Sequence, residues 1–241
     1  MQLSFIDHLN ELRNRCMYCA LSIIILMIGS FISYDYCYEL LAKPFQTLAL
    51  PGTTFYVKSV IEGVLLKLKF SFLFGIIFSI PVMFFHGLRF CIPALKKKET
   101  ALIIICLISS FILAILSFTY SYFIVLPTSI KFLMSSHFIP SDVGILLTYA
   151  DNLLFVFNFI TYIILIFQFP IILMALLYLN IISRASLLKS SRYIIVGTVI
   201  LSAILTPPDV ISQLLLSIPL VALFFIVILL AKCFKLGRSH V

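Results

Sequence analysis

The side chains that could do chemistry in this 241-residue chain are few, and they are scattered between long apolar runs. Near the N-terminus, Ser4 and Asp7 have the spacing of a helix cap. On the helix that follows, Phe5, Leu9, Leu12 and Cys16 share one face, and His8, Glu11 and Arg15 share another. Glu11 can therefore pair with Arg15 at i,i+4. By physics alone this is a solvated helix on a membrane surface, although a carboxylate held there could also receive a cation. Glu99 closes the run Lys96-Lys97-Lys98-Glu99. It can pair with the lysines and cap the next helix, where a carboxylate is favourable, or it can receive a cationic ligand; the residues leave both readings open. Gln168 lies mid-run, two residues before Pro170. An amide in hydrocarbon needs a partner, and the proline frees a carbonyl nearby. Asn158 and Thr161 are also polar, and Thr161 shares a face with Gln168. Interhelical hydrogen bonding and a polar cavity both account for them. His86 can make a structural hydrogen bond or carry a proton. Cys16-x-x-Cys19 has redox spacing without a thioredoxin-like context, so packing is its reading.

Signatures of catalysis are missing. The sequence has no Walker A run and no Gly-x-Ser-x-Gly elbow. It offers no paired histidines for a haem and no nucleophile–base pair within the runs. The expectation is no enzyme, no catalytic residue, no metal and no cofactor.

The elements that position these residues follow from composition. The chain is 63% hydrophobic and 11% charged, with mean hydropathy +1.21. A soluble domain carries about a quarter charged residues. The apolar runs do not alternate as barrel strands do, so they read as membrane-spanning helices. We expect an all-α polytopic membrane protein in one domain, 1–241, with an amphipathic helix over 1–15. Its spans lie at about 16–34, 70–88, 101–126, 152–178, 193–206 and 210–231. The last two are expected to be short: in the fifth, Tyr193 to Leu205 covers only about 20 Å as a helix before Thr206-Pro207-Pro208-Asp209 turns the chain. Tyr34, Tyr36 and Tyr38 suit a membrane interface, and Pro44, Pro51 and Gly52 should break the first outer loop into short pieces. Acids beside the first arginines, and the lack of a small-residue cleavage site, argue against a cleavable signal peptide.

Six spans put both termini on one side. Twelve of the seventeen basic residues fall in the segments of that side, from Arg13 and Arg15 to Lys235 and Arg238. The other five, Lys43, Lys58, Lys67, Lys69 and Lys131, fall opposite. The positive-inside rule places the termini in the cytoplasm, or in a matrix or stroma. The net charge of +8 is thus topological and needs no nucleic-acid partner. Glu11 and Glu99 stand out as acids on the basic side.

Four motifs in order resemble the TatC family. His8-Leu9-Asn10-Glu11-Leu12-Arg13-Asn14-Arg15 is similar to that family's His-Leu-x-Glu-Leu-Arg-x-Arg start. Pro44 resembles its proline in the first outer loop. Phe90-x-x-Pro93-Ala94-Leu95-x-x-x-Glu99 resembles its first inner loop, and Leu205-Thr206-Pro207-Pro208-Asp209-Val210-x-Ser212-Gln213 its turn between the last two spans. The resemblance covers the whole chain. It implies a concave six-helix bundle that is the receptor core of a twin-arginine translocase. Such a protein binds twin-arginine signal peptides and passes folded proteins across an energised bacterial or organellar inner membrane. It implies partners of the TatA and TatB single-span type and homo-oligomers in the receptor complex. Carried over by position, Glu11 and Glu99 would bind the arginine pair, within a site that includes Arg13, Arg15, Phe90, Pro93 and Leu95. Pro44, Gln168, Pro207, Pro208, Asp209 and Gln213 would have structural or partner-contact roles. Gln168 occupies a position that is a carboxylate in some family members, and the amide keeps a hydrogen-bonding role. The family's inner-loop aromatic before Phe90 has no obvious counterpart in His86-Gly87-Leu88-Arg89, and Arg89 adds a positive charge near the proposed cation site. A small-solute transporter would instead predict internal repeats and charged midplane residues, which are lacking. An assembly factor for another membrane complex would not need the two acids.

Overall fold

A backbone buried in lipid must satisfy its own hydrogen bonds, which helices do within one segment. The computed structural model of the chain, which describes residues 5–48, 55–91, 97–135, 146–207, 210–234 and 236, is built that way. Its helices are α1 (Phe5–Ile32), α2 (Tyr34–Leu48), α3 (Glu62–Cys91), α4 (Lys97–Tyr120), α5 (Leu126–Leu133), α6 (Tyr149–Ile166), α7 (Phe169–Tyr178), α8 (Arg184–Lys189), α9 (Ser191–Leu205) and α10 (Val210–Cys233). Two short strands, β1 (Phe55–Tyr56) and β2 (Leu147–Thr148), pair with each other. Five stretches are long and apolar enough to cross a membrane: Leu9–Ile32, Glu62–Gly87, Ile104–Leu133, Tyr149–Tyr178 and Val210–Cys233. Of the last two spans only α9 is short, its fifteen residues reaching about 22 Å, whereas α10 has 24 residues and is long enough to cross. Many large apolar side chains, such as Ile105, Phe111, Ile204 and Leu229, are exposed. On a soluble protein so much apolar surface would aggregate; on spans it meets lipid.

The chain divides into two units. The first takes in residues 1–42, 56–112 and 148–154. Here α1 packs antiparallel along α3: Tyr18 stacks on His86, Gly75 meets Ile23 and Met27, and the Lys67 ammonium lies 4.6 Å from the Phe31 ring centre. The outer end of this unit is fastened by polar contacts. The Tyr34 and Tyr149 hydroxyls are 2.9 Å apart; burial, and then this hydrogen bond, hold the Tyr34 phenol above its usual pKa. Glu62, opening α3, accepts from the Lys58 and Ser59 amides through one oxygen and from the Ala150 amide, at 3.1 Å, through the other. It thereby joins the turn before α3 to the first turn of α6. Glu62→Ala should cost about 2 kcal/mol of stability, because backbone donors lose a charged acceptor. Glu62→Gln should cost less, since its one carbonyl oxygen still accepts. Thermal unfolding in detergent measures both.

The second unit takes in residues 43–55, 113–147 and 155–241. Its core joins Leu173 and Leu177 of α7, Leu187 of α8, and Phe224, Val227, Ile228 and Ala231 of α10. Asn180, with φ 53°, ends α7. The Ile181 amide reaches back to the Leu176 carbonyl and the Asn180 amide to that of Leu177, a Schellman ending that asparagine tolerates. Between α4 and α5 a π-helical turn, Ser121–Val125, inserts extra backbone. It is flanked by two ties to α10: the Tyr120 hydroxyl donates to the Leu215 carbonyl at 2.6 Å, and the Ser129 and Ser212 hydroxyls lie 2.8 Å apart. Tyr120→Phe should cost about 0.6 kcal/mol, the typical worth of an interhelical hydrogen bond in a membrane protein, read as a lowered unfolding midpoint. The buried Ser117 and Ser202 hydroxyls donate locally, to the carbonyls of Ala114 and Thr198.

Several expectations look different in three dimensions. The amphipathic start is no separate helix; its described residues run without a break into the first span as α1. The first outer loop is not broken at Pro44, through which α2 continues, and Pro51 and Gly52 lie outside the described residues. A proline removes one backbone donor and bends a helix without always ending it.

Candidate functional site

The first unit contains a cavity of about 530 Å³ between the beginning of α1 and the end of α3. The residues that line it carry polar groups on carbon stems that supply much of its surface: Asn10, Glu11, Asn14, Arg15, Tyr18, His86 and Arg89. Helix periodicity explains the α1 contribution, since residues 10, 11, 14, 15 and 18 recur at three- and four-residue steps and share a face. The antiparallel packing on α3 brings residues 86 and 89 opposite them. Both walls lie where a span ends, at Leu9 and at Gly87, so the cavity sits at the membrane surface on the N-terminal side.

The Glu11 carboxylate accepts from Arg15 through both Nε, at 3.0 Å, and Nη2. The side chains are 30% and 14% exposed, respectively. Partial burial strengthens such a pair relative to one in open water. One carboxylate oxygen thus already holds a guanidinium edge-on. Tyr18 and His86 stack with ring centres 5.6 Å apart and planes 20° apart. The Arg89 guanidinium lies 6.0 Å from the Phe85 ring centre. The hydrogen bond expected of His86 is not made through Nδ1, which is buried without a partner.

Of the other residues singled out in the sequence, Arg13 is exposed and lies outside the cavity lining. Phe90 is half-buried in the last turn of α3. Glu99 lies in the first turn of α4, but its side chain is outside the described residues, as are Pro93, Leu95, Pro208 and Asp209. Pro44 is buried in α2. Gln168, 2% exposed, stands at the break between α6 and α7 where Pro170 interrupts the ladder. Thr161 is also buried, and its hydroxyl donates to the Phe157 carbonyl one turn back. Pro207 follows Thr206, the residue that caps α9, and the Gln213 amide donates to the Val199 carbonyl at 3.2 Å, tying α10 to α9. Asn10, Asn14 and Tyr18 were missed as lining residues. Their i,i+4 spacing around Glu11 was the only available signal.

Among the described residues, no group of three or more His, Cys, Asp or Glu side chains could hold a metal ion. The helical spans define a multi-pass membrane protein, and the cavity lies at one end of two of them. The family description "Sec-independent protein translocase protein (TatC)" matches residues 7–219. The chain is 31% identical over 235 residues to the TatC protein of Escherichia coli O6:H1, covering 98% of this chain and 90% of that one. It is 32% identical to that of Carboxydothermus hydrogenoformans, covering 97% and 94%. A crystal structure of the twin-arginine translocase receptor TatC in DDM superposes with a TM-score of 0.78 at 30% identity, over 96% of this chain and 100% of that one. The chain belongs to the TatC family, a protein-transport family whose members work within the Sec-independent translocase.

Proposed function

We propose that this chain is the signal-recognising core of a twin-arginine translocase, with both termini on the cytoplasmic, matrix or stromal side. Glu11 takes a guanidinium of the signal's arginine pair in the cavity between α1 and α3, and Glu99 takes the other. The observation that carries this reading is the Glu11–Arg15 pair: the carboxylate is already placed to accept two N–H bonds from one guanidinium. A signal arginine can replace Arg15 with the same geometry. Lysine brings equal charge without the planar fork and forms the weaker complex. Recognition of this kind uses no catalytic group, so the protein acts as a receptor and conduit and not as an enzyme.

The later steps need partners. Single-span subunits of the TatA and TatB type gather near Gln168 and along the short α9–α10 hairpin. The thin bilayer that α9 imposes favours a transient opening there. With no nucleotide site in the sequence, the driving energy is the transmembrane potential, about 2.3 kcal/mol per charge per 100 mV. Homo-oligomers of the chain form the receptor complex.

Export in a host lacking its own TatC tests the reading. A folded fluorescent reporter with a twin-arginine signal should leave the cytoplasm when this chain is expressed with the single-span partners. It should stay behind when the signal carries two lysines. Export indifferent to that change would overturn the proposal.

A further inference from the structure

The receptor reading leaves Arg89 and His86 unexplained. Glu11 is engaged by Arg15, whereas Arg89 forms no ion pair among the described residues, and its guanidinium lies 6.0 Å from the Phe85 ring centre. His86 Nδ1 is buried in the same cavity wall with no hydrogen-bond partner. The described lining therefore carries two guanidiniums, one carboxylate and two amide side chains, Asn10 and Asn14. A cavity whose described lining holds one more cation than anion, with spare donors, fits an anion.

Its surroundings say which anion. The cavity opens at the end of two spans, where lipid headgroups lie. From Tyr18, which lines it, one face of α1 continues through Leu21 and Ile25 towards the membrane interior. These three side chains are 57%, 54% and 60% exposed. A polar cavity joined to an exposed apolar strip has the layout of a phospholipid, with headgroup in the cavity and acyl chain along the helix. We propose that it binds the phosphate of an acidic glycerophospholipid from the leaflet on the N-terminal side, with Arg89 as the principal cation. A zwitterionic lipid would bring its ammonium towards Arg89 and fits less well.

The lipid site stands without the receptor reading, but the two interlock if both hold. A signal arginine that takes Glu11 releases Arg15, and the phosphate beside it gives the displaced guanidinium a new partner. Charge balance in the cavity is then kept through the exchange.

The test uses the full chain, with no signal peptide present, in bilayers of phosphatidylcholine containing a minor fraction of phosphatidylglycerol. Retained lipid is counted by native mass spectrometry. Wild type should retain phosphatidylglycerol in preference to phosphatidylcholine. Arg89→Gln should lower that retention about fivefold, the loss expected from removing one interfacial cation, and Arg89→Lys should keep most of it. Arg89 is exposed and has no ion pair among the described residues, so both variants should unfold at the wild-type temperature. Equal retention of the two lipids, or full retention by Arg89→Gln, would overturn the proposal. Displacement of phosphatidylglycerol by millimolar inorganic phosphate would identify a free-anion site and overturn the lipid assignment.

Discussion

Glu11→Gln should weaken binding of a twin-arginine signal peptide by about tenfold to a hundredfold and leave the protein folded. Two magnitudes separate these outcomes. A hydrogen bond to a charged partner contributes about 1.5–3 kcal/mol, and each 1.4 kcal/mol is a factor of ten in affinity. The Glu11–Arg15 pair that the change also removes is an i,i+4 pair on one helix, and such pairs contribute about 0.3–0.5 kcal/mol when exposed. Its partial burial raises that figure without making it decisive for a helix packed along α3. Peptide affinity, measured by fluorescence anisotropy with a labelled signal, should therefore collapse while the unfolding midpoint barely moves. Against the lysine–lysine peptide, which lacks the fork, Glu11→Gln should have a smaller effect.

Gly75→Val should be the most damaging single change to the fold. A Cβ at position 75 would lie 2.8 Å from the Ile23 carbonyl oxygen, 3.1 Å from the Met27 nitrogen and 3.2 Å from the Met27 Cα. All three are backbone atoms of α1, so no side-chain rotation relieves the clash. Small residues permit close helix approach where packing holds membrane helices together. Overpacking typically costs about 1–3 kcal/mol, and valine adds two methyls beyond the clashing Cβ. We expect a loss of about 3 kcal/mol, visible as faster proteolysis and a lower unfolding midpoint in detergent. Gly29→Ala is the control: its Cβ would meet nothing within 4 Å, so it should be neutral or slightly stabilising through helix propensity. Because α1 and α3 wall the cavity, Gly75→Val should also impair ligand binding. A wild-type melting curve for Gly75→Val would show that the two helices do not approach as described.

The helical, six-span character was legible because lipid leaves so few solutions. A long apolar run without alternation can only be a helix, and a thirteen-residue run stopped by Pro207 and Pro208 can only be a short one. The break at Gln168 was legible only in part: Pro170 signalled a freed carbonyl, but the run from 152 to 178 read as one span. The π turn at Ser121–Val125 was not, since no residue type specifies one extra residue in a helical turn. Neither was the close approach at Gly75, which depends on a partner some fifty positions away. The site divides in the same way. The Glu11–Arg15 pair is local, and its spacing announces it. That His86 and Arg89 face this pair depends on the register of α3 against α1, and hydropathy carries no register.

Photocrosslinking from the residue next to the arginine pair of a signal peptide, in membranes containing the full chain, tests the central claim most directly. The account predicts crosslinks to the stretch of α1 from Asn10 to Tyr18 and to the end of α3 near Arg89. These should be lost with the lysine–lysine peptide and with Glu11→Gln. Crosslinks that fall elsewhere on the folded, inserted chain, or that persist through both changes, would contradict it.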